Sequence, residues 1–420
     1  MILKDVLSNG LRVISEPMPA VVSSTIGIWV ENGSRYESPP QNGVSHFIEH
    51  LLFKGTRKRT AAQIAEEIDA VGGVLNAFTG KEYTCYYAKV LGADLPMTTE
   101  LLADLFLDSV FDAAEIDRER QVVLQEISQA EDTPDDFIHD LFNLKFWEGH
   151  PLALPIFGSV ATVNAINREL LVSFMADRYR AGRVFIAAAG MVDHKRLVDD
   201  CARLFGGVSG DGRGEPIAPP TDRSVVVNQE KDLEQTHICI GGPGISQASP
   251  LRYASYVLNT ALGGGMSSRL FQEVRERRGR VYSIYSFMSS FIDCGYLGIY
   301  AGTNPEWVEE VLEVTVGEVN KIARVGLTDE ELARAKSQIK GNMLLGMEST
   351  ESRMNRLARN EIYFNRDIPL DELAREIDKV THDQVLELAQ SSFLSGKMAL
   401  VLLGDLKGHK FGPDVFSELK

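Results

Sequence analysis

INRELLVSFMADRYRAGRVFIAAAGMVD occupies residues 166–193, and it aligns without gaps with VTHDQVLELAQSSFLSGKMALVLLGDLK at residues 380–407. In this alignment Gly190 meets Gly404. In both copies an amphipathic helical pattern is followed by a turn, an aliphatic strand pattern and a second turn. The repeat distance of 214 residues is far longer than a solenoid unit. The two copies therefore predict a duplicated domain.

The stretch between the copies is rich in Gly and Pro. Residues 206–223 are GGVSGDGRGEPIAPPTDR, a composition that excludes a helix or an inner strand. We predict an N-terminal domain over residues 1–206, a linker over 207–223 and a homologous C-terminal domain over 224–420. The chain length of 420 residues agrees with two or three domains.

Strand and helix patterns occur in blocks within each half. In the first half, strands are predicted over 21–33 and over 74–91 with a bend near Gly80, and helices over 42–56, 60–71, 94–110 and 115–130. The second half repeats this order. Segregated blocks are typical of the α+β class. We therefore predict two homologous domains, each a mostly antiparallel sheet with helices packed on one face.

Composition and charge limit the class of protein. The chain has 59 acidic and 43 basic residues, a net charge of −16 and 44% hydrophobic residues, which fits a packed globular protein. The negative charge argues against a nucleic-acid partner, and no apolar run approaches the ~20 residues that span a bilayer. The first residues resemble neither a secretory signal nor a transit peptide. We expect a protein of the bacterial cytoplasm.

His46-Phe47-Ile48-Glu49-His50 is the pentapeptide with the clearest chemistry. On a helix, residues i and i+4 share a face, so both imidazoles can bind one zinc ion. Glu49 lies in the same turn and can reach the open coordination position to take a proton from water. The order HxxEH inverts the zinc-protease signature HExxH. The alternative is two His on a solvated helix face with Glu49 as an ion-pair partner.

A third ligand is available on the helix predicted over 115–130. Glu119 and Glu126 are two helical turns apart and share a face. Apolar neighbours surround Glu126, so its carboxylate is expected to be partly buried, which is costly unless the charge is paired or bound to a metal. Taken alone, an exposed helix carboxylate is the simpler interpretation of either residue.

Three segments together resemble a known family. HFIEHLLFKGT (46–56), GGVLNAFTGKEYTCYYAKVL (72–91) and ERQVVLQEI (119–127) are similar to the pitrilysin-type (M16) zinc metallopeptidases. The likeness is strongest to the M16B group, which contains the β subunit of mitochondrial processing peptidase and its bacterial relatives. It runs from LSNGLRV (7–13) to MALVLLGDL (398–406).

The resemblance implies a zinc endopeptidase and assigns roles to the residues above. The family's third zinc ligand follows the second His by 76 residues, which is the position of Glu126. By the same resemblance His46 and His50 are the other ligands of one Zn²⁺ per chain, Glu49 is the general base, and Glu119 supports the site from behind the ligands.

A further match lies at LGGGMSSRLFQEVRERRGRVYSIYS (262–286). Members of the family carry here an Arg and a Tyr that hydrogen-bond the peptide near the scissile bond, and they correspond to Arg275 and Tyr282. Both types can donate to an oxyanion or a substrate carbonyl. Without the family, Arg275 would be a surface charge and Tyr282 a core residue of a strand.

The second half contains no equivalent of the HxxEH set. At an offset of 210 residues, His46, Glu49 and His50 fall on Tyr256, Asn259 and Thr260. Only the first half is therefore predicted to be catalytic. In two-chain members of the family the zinc set and the Arg/Tyr pair lie on different subunits. A homodimer whose chains complete each other's sites is the simplest expectation for a chain that carries both.

The resemblance also indicates how substrate is held. Asn76, Ala77, Phe78 and Thr79 correspond to the family's sheet edge, to which a peptide adds as an extra strand. We expect unfolded peptides as substrates, since a folded protein offers no extended strand. Residues 112–136 carry nine acidic and two basic side chains, which suggests a preference for basic residues near the cut. A solvated acidic helix face explains most of them equally well.

Two alternatives remain open from the sequence. The chain could be a non-catalytic structural or binding subunit of the same fold, against which the complete set of zinc ligands and base argues. It could instead require a different partner subunit, against which the presence of both Arg275 and Tyr282 argues.

Overall fold

A computed structural model describes residues 1–212 and 217–419 of this protein. The strands in this part are β1 (Leu3–Val6), β2 (Arg12–Pro17), β3 (Ser23–Val30), β4 (Val74–Thr79), β5 (Thr84–Leu91), β6 (Val184–Gly190), β7 (Val225–Glu230), β8 (Thr236–Pro243), β9 (Val281–Ser290), β10 (Gly295–Thr303) and β11 (Ala399–Gly404).

The α-helices in the described residues alternate with these strands in blocks. They are α1 (Val44–Leu52), α2 (Ala61–Ala70), α3 (Leu95–Asp108), α4 (Ala113–Glu131), α5 (Pro134–Phe146), α6 (Val160–Ala165), α7 (Arg168–Arg178), α8 (His194–Phe205), α9 (Arg252–Gly263), α10 (Val308–Val325), α11 (Asp329–Gly346), α12 (Thr350–Phe364), α13 (Leu370–Lys379) and α14 (His382–Phe393). None of them combines the length and hydropathy that a membrane span requires.

The strands form two sheets of the same topology. The first has the order β1-β2-β6-β3-β5-β4 and the second the order β7-β11-β8-β10-β9. β2 runs parallel to β6 and β7 parallel to β11, whereas the other neighbouring strands are antiparallel. Apart from β1, the two sheets have the same strand order. The predicted α+β class with mostly antiparallel sheets is confirmed.

The repeated segment has the same structure in both halves. It comprises α7 and β6 in the first copy and α14 and β11 in the second. The strands end at Gly190 and Gly404, whose φ angles are +120° and +137°. A Cβ at Gly190 would lie 2.2 Å from the carbonyl oxygen of Ser23, the first residue of β3, and one at Gly404 would lie 2.7 Å from that of Gln235, which directly precedes β8. The close approach of two strands explains why glycine ends the strand in each copy.

The described chain packs into two compact units that do not follow the predicted boundaries throughout. The first comprises Met1–Gln129, Leu154–Ile217 and Gly346–Asp367, and the second Ala130–Ala153, Ala218–Leu345 and Ile368–Lys420. Each half of the sequence thus gives one segment to the unit built mainly by the other half. Of the predicted linker at 207–223, residues 213–216 lie outside the described residues.

The exchanged segments cover the second face of each sheet. In the first unit, Met354, Leu357 and Ala358 of α12 pack with Trp29 and Phe185. In the second, side chains of α5 pack with β8 and β11 in the same way. The prediction of helices on one face is therefore incomplete. All residues of β6 are buried, so this strand is apolar on both faces of the sheet. Helices must therefore pack on both faces.

Candidate functional site

Helix α1 presents the predicted ligands and is capped from outside its own sequence. It begins after Gly43, which has a φ of +96° and so lies in the left-handed region. Glycine has no side chain that could cap the helix. The carboxylate of Glu37 takes that role: it accepts hydrogen bonds from the backbone N–H groups of Gly43 and Ser45, both at 2.7 Å. Burial raises the pKa of Glu37, against the effect of these donors.

One face of α1 anchors the helix and the other carries the imidazoles. Phe47, Ile48 and Leu51 are at most 1% exposed and belong to the core of the first unit. The side chains of His46 and His50 are 16% and 17% exposed. The alternative of two His on a solvated helix face is therefore wrong.

Glu126 of α4 meets both imidazoles. Its Oε2 lies 3.7 Å from Nε2 of His46 and 3.5 Å from Nε2 of His50. In a tetrahedral zinc site with bonds of about 2.0–2.1 Å, ligand atoms stand about 3.3–3.4 Å apart. Within the described residues this is the one group of three or more His, Cys, Asp or Glu whose ligand atoms lie close enough to hold a metal ion. The three donors fit zinc in type, and their ligand atoms all lie within 4.8 Å of one another.

The electrostatics of His46 suit a metal ligand. Burial, and after it the proximity of His50, lower the pKa of His46 to about 4. The imidazole is therefore neutral near pH 7 and keeps a lone pair for a metal. Its Nδ1 is buried without a hydrogen-bond partner in the described part of the chain, so packing rather than a hydrogen bond orients the ring.

Glu119 lies behind His50, on the same helix as Glu126. Its Oε2 is 3.1 Å from Nδ1 of His50. The N–H of that nitrogen donates to the carboxylate, which leaves Nε2 as the lone-pair nitrogen that faces Glu126. The other oxygen of Glu119 forms an ion pair with Nζ of Lys54 at 2.9 Å.

Glu49 projects toward the edge strand β4. Its Oε2 accepts a short hydrogen bond from the hydroxyl of Thr79, the last residue of β4. Burial raises the pKa of Glu49, although the hydrogen bond from Thr79 and the charge of His50 act in the opposite direction. A carboxylate with a raised pKa is a stronger base, which suits a group that takes a proton from water.

β4 is the terminal strand of the first sheet and pairs with β5 alone among the described strands. Its side chains alternate between the two faces: Ala77 packs toward the core that contains α1, and Phe78 toward the core that contains α12. Asn76 is exposed. One side of this strand is thus free of a described strand partner and ends beside Glu49.

Arg275 and Tyr282 belong to the second unit, whereas the other predicted site residues belong to the first. Arg275 lies in a π-helical turn, Phe271–Glu276, a conformation frequent at functional sites. Its guanidinium is 4.8 Å from the ring centre of Phe271 and 5.8 Å from that of Tyr282. Tyr282 is 78% exposed, so the alternative of a core residue of the strand is wrong.

Sequence patterns did not predict three contacts of this site. Glu37 caps α1, Lys54 binds Glu119, and Thr79 binds Glu49. Lys54 follows His50 by four residues, a spacing that could have predicted a shared face. For Glu37 no helical spacing exists, because a loop brings it back to the helix.

Family models and curated relatives match most of this chain. A family model described as Insulinase (Peptidase family M16) matches residues 12–160, and one described as Peptidase M16 inactive domain matches residues 165–339. An uncharacterized zinc protease of Streptomyces coelicolor is 43% identical over 409 residues, which cover 96% of this chain and 89% of that protein. The uncharacterized zinc protease YmxG of Bacillus subtilis is 40% identical over 393 residues, covering 94% and 96%.

A solved structure extends the comparison to the fold. The crystal structure of a protease from Helicobacter pylori matches with a TM-score of 0.89 and 21% identity, over 96% of this chain and 99% of that chain. At this identity the likeness concerns the fold alone.

Proposed function

Because this chain belongs to the peptidase M16 family, we propose that it is a zinc-dependent endopeptidase with one zinc ion per chain. The observation that carries the proposal is the convergence of His46, His50 and Glu126 at zinc-like spacing, with Glu49 in the same helical turn. The relatives at 43% and 40% identity are named zinc proteases, which supports both the metal and the reaction class.

In this proposal, zinc, Glu49 and Thr79 have different roles in peptide hydrolysis. A bound zinc ion would supply Lewis-acid polarisation of the scissile carbonyl. Glu49 takes a proton from the attacking water and returns it to the leaving amine, so that hydrolysis consumes one water and leaves Glu49 unchanged. The hydroxyl of Thr79 holds one oxygen of Glu49 and thereby orients the base.

The edge strand supplies the substrate site in this proposal. An unfolded peptide that pairs with β4 gains backbone hydrogen bonds without a demand on its sequence, and its side chains alternate between two faces. Asn76, Ala77, Phe78 and Thr79 line this edge. Since β4 ends at Thr79, which contacts Glu49, a peptide along β4 runs toward the base.

A preference for basic residues near the cut is the finer part of the proposal. Nine acidic side chains and two basic ones lie between residues 112 and 136, and α4 within this range bears Glu126. Arg118 and Arg120 each pair with an acidic side chain of the same helix, so the excess of negative charge remains. A negative surface beside a cleavage site attracts cationic substrates.

Arg275 and Tyr282 complete the site from a second copy of the chain in our proposal. Both are exposed and carry donors for a peptide carbonyl. A homodimer would then contain two composite sites. We further propose a cytoplasmic location in a bacterium, in line with the bacterial sources of the relatives.

The test of the reaction is the substitution Glu49→Gln. We expect purified Glu49→Gln protein to keep one zinc per chain and to lose cleavage of an unfolded Arg-containing peptide, because the amide cannot take up the proton. Glu66→Gln, an exposed position on α2, is the matched control and should cleave normally. Undiminished cleavage by Glu49→Gln would contradict the mechanism. A wild-type protein that binds zinc and cleaves no peptide would favour the non-catalytic alternative.

The composite site is tested by mixing inactive chains. Glu49→Gln lacks the base, and Arg275→Ala lacks the substrate contact. If each site draws on two chains, mixed dimers contain one site with both groups intact, and part of the activity returns. An equimolar mixture, after subunit exchange verified by mass spectrometry, should therefore cleave faster than either variant alone. No recovery would contradict completion between chains.

A further inference from the structure

We infer that Lys54 is a positioning residue of the metal site, which holds Glu119 so that Glu119 can orient His50. The inference rests on the proposed function, because it assigns Lys54 an effect on zinc affinity. Lys54 itself contacts neither His46 nor Glu126 in the hydrogen bonds and ion pairs of the described residues.

The two oxygens of Glu119 have different partners. Oε1 forms an ion pair with Nζ of Lys54 at 2.9 Å, and Oε2 accepts a hydrogen bond from Nδ1 of His50 at 3.1 Å. The terminal torsion of a Glu side chain is soft and roughly two-fold. A cation beside one oxygen and a hydrogen-bond donor at the other restrict this freedom, because a rotation that moves one oxygen away from its partner also moves the other. Lys54 therefore fixes the plane of the carboxylate that His50 meets.

The backbone places Lys54 on the face that carries His50. Helix α1 ends at Leu52, but the N–H of Lys54 still donates to the carbonyl of Leu51 at 3.0 Å. The chain thus makes one more tight turn, and the side chain four residues after His50 lies on the same side. This turn places the ammonium group on the side of α1 where His50 meets Glu119 of α4.

The charge of Lys54 is also suited to this role. The side chain of Glu119 is 7% exposed, whereas that of Lys54 is 34% exposed. A carboxylate removed from water is costly unless a cation or several donors compensate it. Lys54 compensates Glu119 while keeping part of its own hydration, so the pair loses less solvation than a fully buried one.

Loss of Lys54 would act on the metal through two other residues. Without the cation beside Oε1, Glu119 can rotate, and its contact with Nδ1 of His50 loosens. The imidazole then no longer points Nε2 steadily toward Glu126. Removal of groups that orient metal ligands typically weakens metal binding about 10–100-fold. An effect of this size on zinc affinity is expected although no ligand has been changed.

The experiment measures zinc affinity of the full-length protein, with the metal removed and added back in competition with a chromophoric chelator. We expect Lys54→Met to raise the zinc Kd about 10–100-fold. Lys54→Arg, which keeps the positive charge, should recover most of the affinity. Lys58→Met is the matched control: Lys58 is 67% exposed in the same loop and pairs with Asp104 and Asp108. It should bind zinc as the wild type does.

The outcomes separate this inference from the proposed function. A zinc Kd for Lys54→Met within about twofold of wild type overturns the inference, as does an equal loss in Lys58→Met. If Lys54→Met does not fold, Lys54→Gln takes its place, with circular dichroism of the metal-free proteins as the check on folding. Failure of the wild-type protein to bind zinc would instead overturn the proposed function.

Discussion

Replacing Glu37 with Ala removes the carboxylate that caps α1, the helix that carries His46 and His50. In the wild type this side chain accepts from the N–H groups of Gly43 and Ser45 at 2.7 Å and from the side-chain amide of Asn42 at 3.3 Å. Ser45 is 0% exposed and Glu37 is 2% exposed, so water cannot easily replace the lost acceptor. Alanine therefore leaves two buried backbone donors without a partner.

The expected loss of stability follows from these two donors. A buried donor left without a partner costs about 1–3 kcal/mol. Two of them give about 2–4 kcal/mol if the loop relaxes in part. In a unit of roughly 200 residues each kcal/mol lowers the unfolding midpoint by about 2–4 °C. We thus expect the transition of the first unit to fall by about 5–15 °C.

Calorimetry of the metal-free protein checks this value. Glu37→Gln is a second variant, in which the amide oxygen can still accept one of the two hydrogen bonds, and its midpoint should lie between those of wild type and Glu37→Ala. Glu66→Ala, at an exposed position of α2, should leave the midpoint unchanged. A shift below about 2 °C in Glu37→Ala would refute the role of Glu37 as the cap of α1.

Three further changes test other contacts. Thr79→Val removes the hydroxyl that donates to Glu49, a hydrogen bond to a charged group worth about 1.5–3 kcal/mol. The kcat/KM of this variant should therefore fall about 10–100-fold, whereas that of Thr79→Ser should stay near wild type. Equal kcat/KM values for Thr79→Val and wild type would contradict the contact. Met354 of α12 is 0% exposed, so Met354→Ala should destabilise the first unit by about 2–5 kcal/mol in thermal unfolding. A loss below about 1 kcal/mol would argue against the packing of α12 on the first sheet. Burial alone would raise the pKa of Glu331, but hydrogen bonds from Arg269 and a backbone amide outweigh it and bring the pKa to about 2. The contribution of Glu331 to the free energy of unfolding is thus full above about pH 4.5 and is lost as the pH falls toward 2. Glu331→Gln should therefore lower the free energy of unfolding by about 1–3 kcal/mol at pH 7 and by little at pH 2. A loss of stability that does not depend on pH would count against this ion pair.

Local pattern was sufficient for the elements and for part of the site. The predicted helix at 42–56 and strands at 74–91 correspond to α1, β4 and β5, because one apolar face repeats with the period of the element. The positions of His46 and His50 on one face follow from helical geometry alone. The role of Glu126 came from the resemblance to a family, since no local rule links residues 76 positions apart.

The exchange of α5 and α12 between the units had no such local signal. Both helices are amphipathic, and an amphipathic pattern shows that a helix covers a core without showing which core. The choice depends on which sheet face is left uncovered after the other helices have packed. For α12 that face is formed by side chains such as Trp29 and Phe185, from the other half of the chain.

The sequence by itself determined the duplication, the α+β class, the face of α1 that His46 and His50 share, and the acidic surroundings of α4. These properties depend on residue type and on spacing within one element or between copies of one motif. The tertiary structure alone decided that Glu37 caps α1, that Lys54 pairs with Glu119, and that Thr79 meets Glu49. Each of these contacts joins side chains from separate elements or loops, and their distance in space is set by packing of the whole unit rather than by position along the chain.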